Sequence, residues 1–286
     1  MRKGRLLRVG VTAGLALVGA TTLGNIAVRT ESSFDHSYQA YANVLRTHVI
    51  GARVDYASLK RNRGALDAVV DMLGQVTQDE LAHWSREHQI AYWINAYNVF
   101  TLQAIVDHYP IQSRWFSLFT FTPRNSIKQI DGVWTDLRWR AAGAEMTLDE
   151  IEHETLRVKY DEPRIHFAVN CASVSCPPIR PRPYVADRLE RQLILAARDY
   201  LASDFGLQVD GTRLRVSSIF QWYGEDFISG YAHLVDADQS ARDRAILGVI
   251  AKYGPTQAST LAQKGTVRIR FLRYDWSLND TAAPRS

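Results

Sequence analysis

The fold is decided by residues 164–178, which read Arg-Ile-His-Phe-Ala-Val-Asn-Cys-Ala-Ser-Val-Ser-Cys-Pro-Pro and contain both cysteines of the 286-residue chain. Apolar side chains alternate with others from Ile165 to Cys171. A period of two is typical of a strand, whose side chains point to opposite faces. The pattern therefore predicts a strand with Cys171 on an apolar face, and with His166 and Asn170 on the opposite face, where a site could form.

The chain must turn after this predicted strand. Pro177 and Pro178 lack an amide hydrogen, so they cannot continue a central strand. The turn begins at Ala172 and presents Cys176 at the end of the strand. Because the turn folds the chain back, we expect Cys176 to lie near His166.

The composition is that of a folded globular protein, with 46% hydrophobic and 22% charged residues. The formal net charge of +4 equals the charge of four residues at the N-terminus, Arg2, Lys3, Arg5 and Arg8. The rest of the chain is close to neutral. Nucleic-acid-binding domains carry a basic surface, so we expect no nucleic-acid partner.

The N-terminus has the pattern of an export element. Its basic head is followed by an uncharged run of 20 residues, Val9–Val28. A basic head stays in the cytoplasm, and about 20 apolar residues can span a bilayer. We therefore predict that residues 1–33 are a signal peptide or a membrane anchor, with cleavage and retention both open. The remainder would be periplasmic, or anchored to the inner membrane by this segment alone.

Residues 34–286 are predicted to form a single globular domain, because they contain no repeat, low-complexity tract or linker. The predicted class is α+β, a helix-rich domain with a small, largely antiparallel sheet. Spacing and turn signals predict helices over 34–49, 59–73, 78–108 (broken near Ser85), 147–157, 185–203, 238–253 and 256–264, with a helix capped by Ser217, strands over 212–216 and 266–271, and a hairpin over 127–134.

Two amides interrupt the apolar middle of the longest predicted helix. Asn95 and Asn98 are three residues apart and so share one face. Buried amides must find hydrogen-bond partners or cost about 1–3 kcal/mol each. They could pin the backbone of a neighbouring loop, or they could line a polar site; both interpretations are open. Nearby aromatic residues could likewise be packing or a binding platform: Tyr92, Trp93, Tyr97, Trp115, Phe116 and Trp134.

A second group of polar residues follows a capping box at Thr147 and Glu150, which predicts the start of a helix. Glu152 and His153 lie off the apolar stripe of this helix, close to Arg157 one turn later. These three side chains are therefore candidates for the same site as His166.

The chain resembles the family known as domain of unknown function 547. The resemblance rests on six segments: Tyr92–Asn98, Ile151–Arg157, Arg164–Cys171, Ser175–Pro178, Ser217–Phe227 and Tyr274–Asn279. It implies an exported or membrane-anchored bacterial protein and supplies no established activity. Ala172 stands where members commonly carry Gly, which makes the turn more demanding because Ala avoids positive φ.

The sharpest hypothesis that the residues allow is a cysteine nucleophile. A thiol becomes reactive when an imidazole makes it a thiolate and a third group orients that base. We assign these catalytic roles to Cys176, His166 and either Glu152 or His153, with Asn95 as another orienter. Such a set suits hydrolysis or transpeptidation of amide or ester bonds in the cell envelope. The substrate would be a small molecule, peptide or envelope polymer, bound by Asn95, Asn98, Arg157 and Asn170.

A Cys171–Cys176 disulfide is the competing interpretation. An even cysteine count and an oxidising compartment favour it, and the turn could bring the two Cα atoms within about 7 Å. The protein would then be a non-catalytic envelope binding or scaffold module, or would use only carboxylates and histidines. The spacing matches no standard zinc pattern, and phosphate-binding loops are absent. We therefore predict no metal and no cofactor.

Overall fold

The computed structural model describes residues 34–111 and 122–282. The predicted N-terminal signal peptide or anchor, and the aromatic residues Trp115 and Phe116, lie outside this part. Within the described residues, no helix has the length and apolar character needed to cross a membrane.

Helices build the first half of the fold, around one central helix that is buried on nearly all sides. Ser85 separates the last two of them, as predicted, and its hydroxyl accepts a hydrogen bond from the His88 amide. The helix predicted over 59–73 is two helices, with a break at Asn62 and Arg63. The five helices are α1 (Gln39–His48), α2 (Tyr56–Arg61), α3 (Gly64–Gly74), α4 (Gln78–His83) and α5 (Arg86–His108).

Two pairs of short strands interrupt the helices, one pair between α1 and α2 and the other after α5. Strands β1 (Val49–Ile50) and β2 (Arg53–Val54) pair antiparallel, as do β3 (Trp139–Ala141) and β4 (Ala144–Met146). The hairpin predicted over 127–134 is wrong. A 3₁₀ turn, Ile127–Gln129, occupies its start, and the carbonyl of Gly132 accepts hydrogen bonds from three successive amides that follow it, so the chain coils instead of pairing.

The predicted capping box is present. The Thr147 hydroxyl accepts a hydrogen bond from the Glu150 amide at 3.1 Å, and the Glu150 carboxylate accepts one from the Thr147 amide at 2.7 Å. The helix that follows is a π-helix, Glu150–Leu156, which continues as α6 (Arg157–Tyr160). Wider π turns are often found at functional sites.

The second half of the fold packs helices around a three-stranded sheet, in which β5 and β6 are antiparallel and β6 and β7 are parallel. Its elements are α7 (Leu189–Leu201), β5 (Leu207–Asp210), β6 (Arg213–Val216), α8 (Ser218–Tyr223), α9 (Ile228–Tyr231), α10 (Ala241–Tyr253), α11 (Thr256–Gln263) and β7 (Arg268–Phe271). The α+β class is confirmed. The strands are divided among three small sheets instead of forming one.

The predicted strand over 165–171 is wrong. Pro163–Phe167 forms a 3₁₀ helix, and the chain then runs irregularly to Pro178. The alternation does not separate two environments, because polar His166 and Asn170 are as buried as their apolar neighbours. The Asn170 side chain bonds to backbone and His166 Nε2 bonds to another side chain, so these groups need neither a ladder nor a solvated face.

This segment lies between two hydrophobic cores. Ile165 and Val169 belong to the core built around α5, whereas Phe167 belongs to the core built around α10 and the three-stranded sheet. The intervening residue, His166, is therefore held at the junction of the two cores.

The asparagines of α5 hold the neighbouring loops by their backbone. The Asn98 amide donates to the Ala168 carbonyl at 3.0 Å and accepts from the Asn170 amide at 2.8 Å. Asn95 makes the same pair of bonds with the backbone of Tyr184. These bonds match the interpretation in which the amides pin loops.

The C-terminal tail completes the cysteine turn. Asn279 donates its amide to the Ala172 carbonyl, and the amides of Val174 and Ser175 donate to tail carbonyls at 2.8 and 3.2 Å. Ala172 itself has a φ of 55°. The turn thus uses the left-handed conformation that Gly adopts more easily, and bonds on both sides of Ala172 hold it there.

We predict that Asn98→Ala destabilises the protein by about 2–4 kcal/mol, because it leaves a buried carbonyl and a buried amide without partners. Urea denaturation measures the change. Asn62→Ala is the matched control on an exposed asparagine, with an expected change of about 0.5 kcal/mol or less. Equal stability of the two variants would contradict the role given to Asn98.

Candidate functional site

A cavity of about 280 Å³ lies beside the cysteine turn. It brings together the four residues to which catalytic roles were assigned from the sequence, Glu152, His153, His166 and Cys176, and also Cys171, which the sequence pattern had placed on a core face. The π-helix supplies the first two, and the segment between the cores supplies the other three.

The four predicted binding residues are placed elsewhere. Asn95 and Asn98 are engaged with backbone, and the buried Asn170 side chain donates to the Pro177 carbonyl and accepts from the Ala172 amide. Arg157 lines a second cavity of about 350 Å³, which also has His166 in its wall. His166 therefore separates the two cavities.

His166 is the most constrained side chain of the site. Its ring stacks on Tyr223, with centroids 4.2 Å apart and planes inclined by 11°. Its Nε2 lies 2.7 Å from the Asp226 carboxylate, whereas its Nδ1 is buried and has no hydrogen-bond partner. The Glu152 carboxylate lies 4.0 Å from Nδ1. With the Nε2 proton donated to Asp226, the Nδ1 lone pair is left on the side of Glu152 and the first cavity.

Asp226 is fixed by a second partner. Arg157 donates two hydrogen bonds to its carboxylate, at 2.7 and 2.9 Å. Burial raises the pKa of Asp226, but the bonds and charges of Arg157 and His166 outweigh burial and hold that pKa well below its usual value. Arg157 also donates to His153 Nδ1 at 3.0 Å. An ionised Asp226 therefore orients the His166 ring.

The two thiols are in contact but differ in exposure. Their sulfurs lie 2.8 Å apart, with the Cys171 thiol donating a hydrogen bond to the Cys176 sulfur, and both cysteines are free. Cys171 is partly exposed and Cys176 is buried. The sequence pattern predicted the reverse, because it placed Cys171 on the core face of a strand that does not form.

The surroundings of the two thiols shift their pKa values in opposite directions. Hydrogen bonding with Cys176 lowers the pKa of the Cys171 thiol; burial opposes this, and bonds from Ser173 and Tyr274 add to it. The Tyr274 hydroxyl lies 3.1 Å from the Cys171 sulfur. Burial raises the pKa of the Cys176 thiol well above its usual value, and the neighbouring Cys171 adds to the effect. Cys171 is thus the sulfur favoured as a thiolate.

Sequence reasoning missed three residues of this site: Tyr223, Asp226 and Tyr274. All three lie in segments that carry the family resemblance, Ser217–Phe227 and Tyr274–Asn279. An acidic pair, Glu225 and Asp226, close after the aromatic residues Trp222 and Tyr223 was a usable signal. Its pairing with His166, 60 residues away, could not be read from spacing.

In the part of the chain that the structure describes, no group of three or more His, Cys, Asp or Glu side chains is placed to hold a metal ion.

The fold and cavity define a helix-rich α+β protein with a histidine and a thiol pair at one site. Residues 81–201 match the family model described as protein of unknown function, DUF547, which confirms the family resemblance over that segment. The match includes both thiols and His166 and ends before Asp226. No curated protein and no solved structure matches the chain.

We predict that Asp226→Asn destabilises the protein by about 2–3 kcal/mol at pH 7, because it removes charge-assisted bonds to Arg157 and His166. The folded-state pKa of Asp226 is depressed, so its contribution is present above the unfolded pKa of about 3.9 and is lost as pH falls towards the folded value. Thermal unfolding of both proteins between pH 7 and pH 3 measures the difference, which should shrink below about pH 4.

Glu225→Gln is the control, since Glu225 is the exposed carboxylate next in sequence. A stability difference between wild type and Asp226→Asn that stays constant down to pH 3 would contradict an ionised, paired Asp226.

Proposed function

We propose that this protein is a cysteine-dependent hydrolase or acyl transferase acting on amide or ester bonds. Cys171 is the nucleophile, His166 the base and Asp226 the group that orients the base. One observation carries the proposal: Asp226 occupies Nε2 of the buried His166 ring and leaves Nδ1 without a partner beside a cavity that also contains a partly exposed thiol of lowered pKa.

The nucleophile differs from the first sequence-based choice, Cys176. Cys176 keeps a part in the reaction, because its thiol hydrogen-bonds to Cys171 and stabilises the thiolate. Tyr274 acts in the same way from the opposite side. Nucleophilic cysteines in general need such a favourable setting for the thiolate.

The chemistry follows the order of a covalent acyl transfer. His166 takes the Cys171 proton at Nδ1, and the sulfur attacks the carbonyl carbon of the substrate. His166 then gives that proton to the leaving nitrogen or oxygen, and a thioester remains on Cys171. Water, or an amine in transpeptidation, attacks the thioester carbon while His166 takes its proton; the C–S bond then breaks, the acid or the new amide leaves, and His166 returns the proton to the Cys171 sulfur. Asp226 and Glu152 both stabilise the imidazolium that forms between these steps.

The place of action belongs to the same proposal. The basic head and uncharged run of residues 1–33 support export, so the substrate would be a small molecule, a peptide or a polymer of the cell envelope. Nucleic acid has no part in the proposal, and membrane contact would come only through the N-terminal segment.

A non-catalytic binding or scaffold module with a Cys171–Cys176 disulfide is the second candidate. The 2.8 Å separation of the sulfurs favours it, since little movement is needed to reach the roughly 2.05 Å of a bond. An oxidising compartment would allow that bond to persist. The disulfide would remove the nucleophile and leave His166, Glu152 and His153 as a polar binding site.

We predict that iodoacetamide at pH 7 alkylates Cys171 at least tenfold faster than Cys176, because Cys171 has the lowered thiol pKa and the greater exposure. Peptide mapping by mass spectrometry measures both rates. Cys171→Ala should abolish hydrolysis of a simple test ester, p-nitrophenyl acetate, whereas Cys176→Ala keeps the nucleophile. His166→Gln should lower hydrolysis about a hundredfold or more.

Thiol counting distinguishes the second candidate. If the protein is the disulfide module, protein isolated from the exported fraction without reductant would contain no free thiol, and reduction would not create ester hydrolysis. That pair of results would rule out the hydrolase and leave the disulfide module.

We predict that residues 1–33 export a fused phosphatase that folds only outside the cytoplasm. The expected result is active enzyme in intact cells, because the basic head is retained inside and the following segment crosses the membrane. Replacing Arg2, Lys3, Arg5 and Arg8 by Gln should lower that activity. An inactive fusion of normal abundance would refute export by this segment.

A further inference from the structure

The lining of the first cavity contains acidic side chains, and the Lys128 ammonium, which is not part of this lining, contacts the wall residue Trp276. Asp149 and Glu152 both contribute carboxylates, whereas no Lys or Arg of the described residues lines the cavity. Glu152 also affects the tyrosines of the lining. Burial is the main cause that raises the pKa values of Tyr97 and Tyr223, and the nearby Glu152 carboxylate raises them further. An anionic ligand is therefore disfavoured, and a neutral one would leave this field uncompensated.

The opposite wall of the cavity is aromatic. Trp222 stacks near Trp276, with centroids 5.7 Å apart, and Tyr274 contacts both rings at 4.8 and 4.6 Å. Trp222 is 44% exposed, so part of its ring remains accessible to a ligand. The Lys128 ammonium already lies 4.5 Å from the centre of the Trp276 ring, and a cation over such faces is attracted by the ring quadrupole.

Two hydrogen-bond acceptors converge at the buried end. The Nδ1 atom of His166 has no partner, and the Glu152 carboxylate lies 4.0 Å from it. The side chain of His166 is only 1% exposed. A group with N–H donors placed between these atoms could bond to both, which would satisfy the buried nitrogen that the protein itself leaves unpaired.

From these three features we propose that the cavity binds an organic ammonium group bearing N–H donors, with Glu152 and His166 as acceptors and the Trp222, Tyr274 and Trp276 rings as the surrounding wall. Its role as substrate rests on the proposed function: the hydrolase would then act on amides or esters that carry a free amine near the scissile bond. The binding of an alkylammonium ion is independent of that chemistry.

The experiment compares a charged probe with its uncharged counterpart. Pentylammonium chloride and 1-pentanol are titrated into the full-length protein at constant ionic strength and neutral pH, and tryptophan fluorescence reports binding. The Cys171→Ser variant is titrated in parallel, so that no covalent step contributes. We expect pentylammonium to bind at least tenfold more tightly than pentanol to both proteins.

Glu152→Gln should reduce this charge preference at least fivefold, while Glu154→Gln should preserve it. Glu154 lies on the same π-helix, is exposed and does not line the cavity, so it controls for the change in net charge. Circular dichroism confirms that each variant is folded. The comparison of the two probes in the wild-type protein stands even where Glu152→Gln does not fold.

Equal affinity for the two probes, or tighter binding of a neutral sugar such as N-acetylglucosamine, would overturn the ammonium site. A charge preference that survives in folded Glu152→Gln would overturn the assigned acceptor. Ammonium binding by a protein without a reactive Cys171 would refute the hydrolase alone, whereas a reactive thiol without ammonium preference would refute this inference alone.

Discussion

The site depends on the hydrogen bonds by which the buried Asn98 side chain holds an irregular loop. Asn98 replaces the ladder partners that residues 168–170 would have in a sheet, and it does so from the most buried helix of the protein. In the sequence, His166 lies just before the residues that Asn98 holds, and Cys171 lies just after them. Loss of either bond would leave a backbone group unpaired in a hydrophobic core, where water cannot compensate. The placement of His166 relative to Cys171 is thus set by α5, without a strand.

Charge is arranged around His166 in an unequal way. On one side, Asp226 is neutralised by a two-point contact with Arg157 and holds the ring through Nε2. On the other side, Glu152 has no cationic side chain in the same cavity among the described residues. The first carboxylate therefore orients the ring, whereas the second lines the cavity and interacts there with Tyr97 and Tyr223. The stacked Tyr223 ring keeps the imidazole from turning between them.

Local signals in the sequence were sufficient for the helices and insufficient for the loop. The capping residues Thr147 and Ser217 and the break at Ser85 are short-range chemistry, and each is found where predicted. The alternation from Ile165 to Cys171 misled because both of its faces are buried, which is decided by Asn98, Asp226 and the tail far away in the chain. The exposures of the two thiols were reversed for the same reason. Four predicted site residues, Glu152, His153, His166 and Cys176, were still found at the cavity, since such side chains are unusual in a core. Asp226 and Tyr274 were missed because their partners lie 60 and about 100 residues away.

The contacts of the C-terminal tail with the cysteine turn determine when that turn can form during synthesis. Residues 274–281 supply hydrogen bonds to the cysteine turn and to β2, yet they are the last part of the described chain to be made. Until they emerge from the ribosome, the turn lacks half of its backbone partners, Ala172 has no bond to hold its left-handed conformation from the tail side, and Cys171 lacks the Tyr274 hydroxyl. A chain without residues 274–281 therefore lacks these contacts, and the surroundings that distinguish the two thiols form only after this segment has been made.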